Sequence, residues 1–286
     1  MTATMTIDTQ AKILEKRKLT EVTTLFVISA PLVALNAAPG QFVILRVSET
    51  GERAPISLTD FDRRAGTISL VVQEVGRTSG LISALDVGDE ILDLAGPLGC
   101  PVELPHEGHA VLIGGGFGTG AIYPLAGELH DRGVRVSVIV GARTAALLIL
   151  RDLLESVCDA YHACTDDGSL GHRGLVTDRL EELLEEGEGF TSCFAVGPMQ
   201  MMRAVAETAW RWSLPATVSL DPVMIDGTGM CGGCRVTVGG VTRFACVDGP
   251  FFDAHLVDFD EVAARKTMYA EQERIACQAA EAKVAV

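Results

Sequence analysis

The chain has 286 residues and a mass of 30.3 kDa, a length that predicts about two domains. Hydrophobic residues make up 48% and charged residues 21%, which excludes disorder as the main state and allows a large core. With 23 Lys plus Arg against 38 Asp plus Glu the net charge is −15, which excludes general binding to nucleic acid or to an anionic membrane. Eight cysteines in this length are too sparse for a disulfide scaffold. The N-terminus lacks a basic start followed by an apolar run, so no secretory signal is read and reduced, cytoplasmic cysteines are expected.

Residues 1–105 read as all β. Short apolar runs recur at Thr24–Ser29, Phe42–Val47, Thr67–Val72 and Glu90–Leu94, separated by turn signals such as Pro39-Gly40, Thr50-Gly51, Val87-Gly88 and Gly96-Pro97. This spacing predicts an antiparallel barrel or sandwich, with one helical turn at Ser79–Leu85. Residues 106–222 change period. Strands are predicted at His109–Ile113, Val134–Val140, Ala160–Cys164, Ser192–Val196 and Ala216–Leu220. Helices are predicted at Gly118–Arg132, Ala145–Val157, Leu175–Glu186 and Gln200–Trp212. Such alternation predicts a parallel sheet covered on both faces. Residues 223–257 are short, loop-rich and hold three cysteines. Residues 258–286 read as a helix and tail. The uncharged stretch Ala110–Gly127 approaches the length of a membrane span. Its six glycines and Pro124 favour strand, loop and buried helix instead.

Two loops carry chemistry. Gly114-Gly115-Gly116-Phe117-Gly118-Thr119-Gly120 lies between a strand and a helix. Backbone amides at such a helix start attract pyrophosphate, so Gly115, Gly116, Gly118, Thr119 and Gly120 are candidate dinucleotide contacts; a packing turn is the alternative. No Lys-Ser/Thr follows, so this is not a nucleoside-triphosphatase loop. The second strand of this part ends in Gly141-Ala142-Arg143-Thr144, without the acidic residue of an NAD-type unit. Arg143 is either an adenosine-phosphate contact or a solvated sheet-edge charge.

The second loop is Asp226-x4-Cys231-x2-Cys234-x11-Cys246. The plant-type [2Fe–2S] spacing is C-x4-C-x2-C with a distant fourth Cys, so the register matches with Asp in the first slot. Zinc held by the three cysteines with His255 or Asp226 is a competing reading, as are buried, unliganded thiols. An upstream dinucleotide domain favours the redox cluster. The remaining cysteines are scattered, and no hydrolytic constellation is visible.

The order of these parts resembles the ferredoxin–NADP reductase superfamily. Within it, the chain resembles the branch that holds the electron-transfer subunit of dihydroorotate dehydrogenase and the small subunit of NADH-dependent reduced ferredoxin:NADP oxidoreductase, also described as sulfide dehydrogenase. The residues that carry the resemblance are Pro39-Gly40-Gln41-Phe42, Arg53 to Leu58, Gly96-Pro97-Leu98-Gly99, Gly141 to Thr144, Asp166-Asp167-Gly168-Ser169, Val196-Gly197-Pro198-Met199 and Asp226 to Asp253. The resemblance implies an N-terminal FAD-binding barrel, an NAD(P)-binding α/β domain and a small [2Fe–2S] loop domain. It places FAD on Arg53, Pro55, Ser57, Gly76, Thr78, Ser79 and Gly96, where many relatives have Tyr at the Pro55 position. It implies nucleotide contacts from Asp167, Gly197, Pro198 and Met199 and cluster ligation by Asp226, Cys231, Cys234 and Cys246, Asp being a trait of the small-subunit group. Many reductases carry Cys where Val196 stands, so that assistance does not transfer.

The implied activity is an oxidoreductase subunit. It passes electrons between NAD(H) or NADP(H), FAD and the cluster, with no catalytic residue beyond cofactor positioning. A larger flavin and iron–sulfur partner subunit is implied, with ferredoxin reached through it. The alternatives are a dihydroorotate dehydrogenase electron-transfer subunit, against which Asp226 counts, and a zinc-stabilised dinucleotide sensor without redox chemistry.

Overall fold

The computed structural model describes residues 11–269, 271–272 and 274–275. The first part runs β1 (Ala11–Thr20), β2 (Thr23–Ser29), α1 (Pro31–Asn36), β3 (Phe42–Arg46), β4 (Ala54–Asp62), β5 (Thr67–Gln73), α2 (Arg77–Ser83), β6 (Glu90–Ile91) and β7 (Asp93–Leu98). These strands form one seven-stranded antiparallel sheet in the order β6-β1-β2-β5-β4-β3-β7. The two edge strands, β6 and β7, are separated only by Leu92. The edges of the sheet therefore meet, and it curls into a barrel. The single strand expected over Glu90–Leu94 is thus two short ones, because the chain crosses from one edge to the other. A second correction is α1, which starts on Pro31 at its first position, where the missing amide costs nothing.

The second part runs β8 (His109–Gly115), α3 (Thr119–Asp131), β9 (Arg135–Ala142), α4 (Arg151–Glu155), β10 (Ala160–Thr165), β11 (His172–Arg173), α5 (Val176–Glu185), β12 (Ser192–Val196), α6 (Met199–Arg211) and β13 (Ala216–Ser219). Its sheet order is β11-β10-β9-β8-β12-β13-β16. All pairs from β11 to β13 are parallel. The added edge strand β16 (Phe251–Asp253) is antiparallel to β13. The chain winds outward from β8 in both directions, so the topological switch point lies between β8 and β12. The helix expected over Ala145–Val157 is broken. A single 3₁₀ turn covers Ala145–Leu147, Leu150 takes a left-handed φ of 56°, and only Arg151–Glu155 is helical. Ile149 and Leu150 are buried against the α3 face of the sheet, and this burial overrides helix propensity.

The cysteine-bearing segment adds a hairpin of β14 (Arg235–Val238) and β15 (Val241–Phe244), then β16 and α7 (Phe259–Lys266). Residues 271–272 and 274–275 are helical; the rest of the C-terminal helix expected beyond α7 lies outside the described residues. Cys234 and Cys246 share one core cluster with Phe42 and Ile44 of β3, Ile113 of β8 and Met224. Barrel, sheet and cysteine segment are therefore packed on common side chains. Among the described residues no helix is long and apolar enough to cross a membrane. Ala110–Gly127 is a buried strand, a turn and the start of a buried helix.

Candidate cofactor cleft and cysteine loop

A cleft of about 260 Å³ opens where the barrel meets the switch point of the parallel sheet. Pro55 and Ser57 of β4 and Ser79 of α2 form its barrel wall; Gly118, Gly120 and Gly197 form its sheet wall. In parallel α/β sheets ligands bind outside the carboxyl ends of the strands at this crossing. The cleft thus joins residues that the sequence assigned to two different cofactors.

The glycines act mainly by close packing. A Cβ on Gly118 would lie 2.4 Å from the Val196 carbonyl oxygen, and one on Gly197 would lie 3.0 Å from the Gly115 Cα. The turns after β8 and β12 thereby touch. A Cβ on Gly120 would lie 2.9 Å from Thr59 Oγ1 of β4, so α3 docks directly on the barrel. Gly115 is crowded by Met201 and Pro198. Of the glycines of the Gly114–Gly120 loop, Gly116, at φ +56°, alone has nothing within 4 Å of a would-be Cβ. Thr119 is fully buried, its hydroxyl without a partner, so its side chain is closed off from any ligand. Phe117 stands 45% exposed between Gly116 and Gly118 and lines the cleft. Sequence reasoning passed over it, although an exposed aromatic inside a glycine turn is a usable signal.

Apart from Ser79, the remaining assigned positions lie outside the cleft lining. Arg53 is exposed just before β4 and forms no ion pair among the described residues. Ser79 Oγ accepts the amides of Val75 and Gly76, each at 2.9 Å, and Thr78 donates to Glu52 at 2.6 Å. Both hydroxyls are used locally, whereas the first amides of α2 remain open, as at any helix start. A Cβ on Gly96 would lie 2.7 Å from Val43 Cγ1, which makes this glycine a strand-packing residue. Arg143 is exposed past the end of β9. Asp167 accepts the Ser169 amide at 2.9 Å and hydroxyl at 2.6 Å, and these bonds hold its carboxyl below the usual range. Pro198 is exposed and Met199 half-buried at the start of α6.

The cysteine loop shares the wall of the cleft. Asp221, Pro222 and Met224 line it ahead of the loop and Pro250 lines it after. Cys234 and Cys246 are buried with their sulfurs 3.1 Å apart; Cys231 is exposed. The Gly233 amide donates to Cys231 Sγ at 3.4 Å and the Cys246 amide to Cys234 Sγ at 3.5 Å. Burial, then the adjoining Cys234 thiol, push the Cys246 thiol up to about 12. As thiols the two share a sulfur–sulfur hydrogen bond; as thiolates at this separation they would require a shared cation. Three soft sulfur donors, with backbone amides aimed at two of them, fit an iron–sulfur cluster. Gly227 and Gly229, at φ +75° and +83°, press against Ile44 and Val247 and bend the loop around its sulfurs.

Asp226 is tied into its own loop. Its carboxylate accepts the Thr228 amide at 3.0 Å and the Cys231 amide at 2.9 Å. These bonds hold it below the usual carboxylate range. It braces the loop as an anion, and among the described residues no group of three or more Asp, Glu, His or Cys side chains converges on one point. His255 packs edge-on against Trp210, ring centres 5.2 Å apart, and joins no such group. The convergence missing for a zinc set with His255 is missing for the cluster set as well among the described residues, so donor chemistry, and not this geometry, favours the cluster.

A barrel set against the switch point of a parallel sheet defines a protein of the ferredoxin–NADP reductase fold, here with an added cysteine loop. The ferredoxin reductase of carbazole 1,9a-dioxygenase shares this fold at TM-score 0.62 and 20% identity, over 72% of this chain and 66% of that one. The model of the iron–sulfur cluster binding domain of dihydroorotate dehydrogenase B matches residues 221–258. The dihydroorotate dehydrogenase B (NAD(+)) electron transfer subunit homolog of Thermotoga maritima is 44% identical over 264 residues, covering 92% of this chain and 93% of its own length. A chain of the NADH-dependent reduced ferredoxin–NADP oxidoreductase, solved for insight into flavin-based electron bifurcation, matches at TM-score 0.89 and 42% identity, over 93% of this chain and 96% of that one. The chain belongs to the family of dihydroorotate dehydrogenase B-type electron transfer subunits.

Proposed function

We propose that this chain is the electron-transfer subunit of a heteromeric oxidoreductase, taking electrons from a nicotinamide dinucleotide through FAD and a [2Fe–2S] cluster to a larger partner subunit. One observation carries the reading. The cleft at the switch point is lined by β4 of the barrel, by the Gly118 turn of the sheet and by the segments before and after the cysteine loop. FAD held there by Pro55 and Ser57 would supply the conversion of a hydride into single electrons, and a cluster held by the cysteine loop would supply their one-at-a-time transfer.

The chain's own task is positioning. Pro55 and Ser57 offer a wall and a hydroxyl to the flavin ring, and Arg53 and the α2 amides offer charge and N–H groups to its pyrophosphate. Gly118 and Gly197 let the nicotinamide approach without side-chain obstruction. Val196 supplies no thiol there, so no protein proton is moved at that slot. Cys231, Cys234 and Cys246 hold the cluster, with Asp226 as the fourth donor of the same register. The similarity to the ferredoxin–NADP oxidoreductase chain favours that type of complex over dihydroorotate oxidation, because Asp stands in the first ligand slot.

The visible spectrum of the anaerobically purified protein tests the reading. Flavin bands together with a broad iron–sulfur shoulder, both bleached by NADH or NADPH, are the expected result. A colourless protein that binds zinc overturns it in favour of a nucleotide sensor.

A further inference from the structure

Helix α7 ends in two adjacent cations that reach different targets. Lys266 pairs with both oxygens of Asp221 at 2.8 and 2.7 Å, on the strip that lines the cleft. Arg265 turns the other way. Its Nη2 donates to the Gly233 carbonyl at 3.0 Å, inside the Cys231-x2-Cys234 turn, and its Nε is buried without a partner. Glu261, one turn back on α7, makes no ion pair with it, and its own Oε2 is buried and unpartnered. Asp260 is occupied by Arg203 at 2.6 Å and Asp258 caps α7 through the Glu261 amide at 2.9 Å. A half-buried guanidinium whose Nε is shut away without a partner and whose one hydrogen bond goes to a carbonyl is a costly arrangement in a free-standing loop. It becomes favourable beside a centre of fixed negative charge. A [2Fe–2S] cluster held by Cys231, Cys234, Cys246 and Asp226 would make such a centre, and its reduction would add one more negative charge.

We propose that Arg265 is the electrostatic partner of the [2Fe–2S] cluster, a positioning residue that holds the Gly233 turn and favours the reduced cluster by its charge. This rests on the cluster reading above. Arg235 adjoins Cys234 in sequence but is exposed, where solvent and salt screen it. The half-buried charge of Arg265 therefore acts more strongly than the exposed one nearer in the chain.

The test is an EPR-monitored redox titration of the purified holoprotein. At the wild-type midpoint, Arg265→Gln is expected to hold about ten-fold less reduced over oxidised cluster, or ~59 mV for a one-electron couple. Arg265→Lys is expected to recover most of that loss, and Arg235→Gln to shift the ratio less than Arg265→Gln does. An Arg265→Gln protein with full cluster content and an unshifted ratio overturns the proposal, as does an Arg235→Gln effect larger than that of Arg265→Gln. Should Arg265→Gln fail to hold a cluster, Arg265→Lys decides. Retention with a near-wild-type ratio supports the charge; loss there too assigns Arg265 to folding and overturns the proposal. A wild-type protein with flavin but no cluster overturns the underlying reading instead, and is recognised before any variant is made.

Discussion

Gly118 has no room for a methyl group, because a Cβ would sit 2.4 Å from one backbone oxygen and 2.6 Å from a backbone carbon. Gly118→Ala should therefore force the turns after β8 and β12 apart. A loss of about 1–3 kcal/mol is expected, typical of overpacking, with weaker nucleotide binding; unchanged denaturant midpoint and nucleotide affinity refute the contact. Arg53 makes the opposite case, a charge with nothing to hold. If it meets the flavin pyrophosphate, Arg53→Ala removes a charge-assisted bond worth roughly 1.5–3 kcal/mol, and FAD occupancy after gel filtration should fall. Full retention places Arg53 outside the site. On the proposed cluster reading, Asp226 has two separable roles. Asp226→Ala removes both the brace on the Thr228 and Cys231 amides and the fourth donor, so a labile cluster is expected. Asp226→Cys restores a donor without the brace, and a softer ligand should give a changed potential and a more ferredoxin-like spectrum. An Asp226→Ala cluster with wild-type spectrum, potential and stability removes Asp226 from the ligand set. The cysteine register was legible because ligand spacing is a sequence property. The double use of Asp226 was not, since it depends on which amides the folded loop presents.

At the scale of elements, the α/β part was readable and the barrel less so. Strands β8 and β12 are continuous apolar runs buried throughout their central residues, which is the pattern of a parallel sheet. β1 and β4 escaped detection for physical reasons. β1 carries Lys12, Glu15, Lys16, Arg17 and Lys18, and its pairing register shifts between Ile13 and Glu15 and again between Lys18 and Thr20, which breaks the period of two. β4 contains Pro55, Asp60 and Asp62, residues that strands avoid, and a shift between Leu58 and Asp60. The far end of the parallel sheet carries a pH prediction. His109 begins β8, buried, with Nε2 2.9 Å from Ser137 Oγ and its ring 4.5 Å from that of Phe190. Burial, followed by the Arg135 charge, lowers its pKa below the ordinary 6.5, with Glu188 and Asp159 opposing. The unfolded chain therefore binds this proton more readily than the folded one. Its contribution to stability is full above about pH 6.5 and declines as pH falls below it. His109→Gln should flatten this limb of a urea-midpoint profile measured between about pH 5 and 8. A limb of unchanged slope assigns the acid sensitivity to other groups.

On the scale of the whole molecule, the three parts are mechanically joined but chemically divisible. The core that holds Cys234 and Cys246 continues into β3 of the barrel and the β8–β12 face of the sheet, while the walls of the cleft come chiefly from β4 and the turns after β8 and β12. The cysteine loop supplies Met224 and Pro250 to the cleft, but no residue assigned to hydride transfer. Loss of the cluster should therefore separate two half-reactions. In a Cys231→Ser variant, whose altered side chain is exposed and so least disturbing to the shared core, stopped-flow reduction of bound FAD by NADH should stay within about three-fold of wild type, a change in barrier under ~1 kcal/mol. Electron delivery to the partner subunit, or to a one-electron acceptor protein, should fall by at least about a hundred-fold, since a two-electron carrier is then left without its one-electron relay. Equal losses in both half-reactions would show that the cysteine segment positions the nicotinamide as well, and would move Met224 and Pro250 from the wall of the cleft into its working surface.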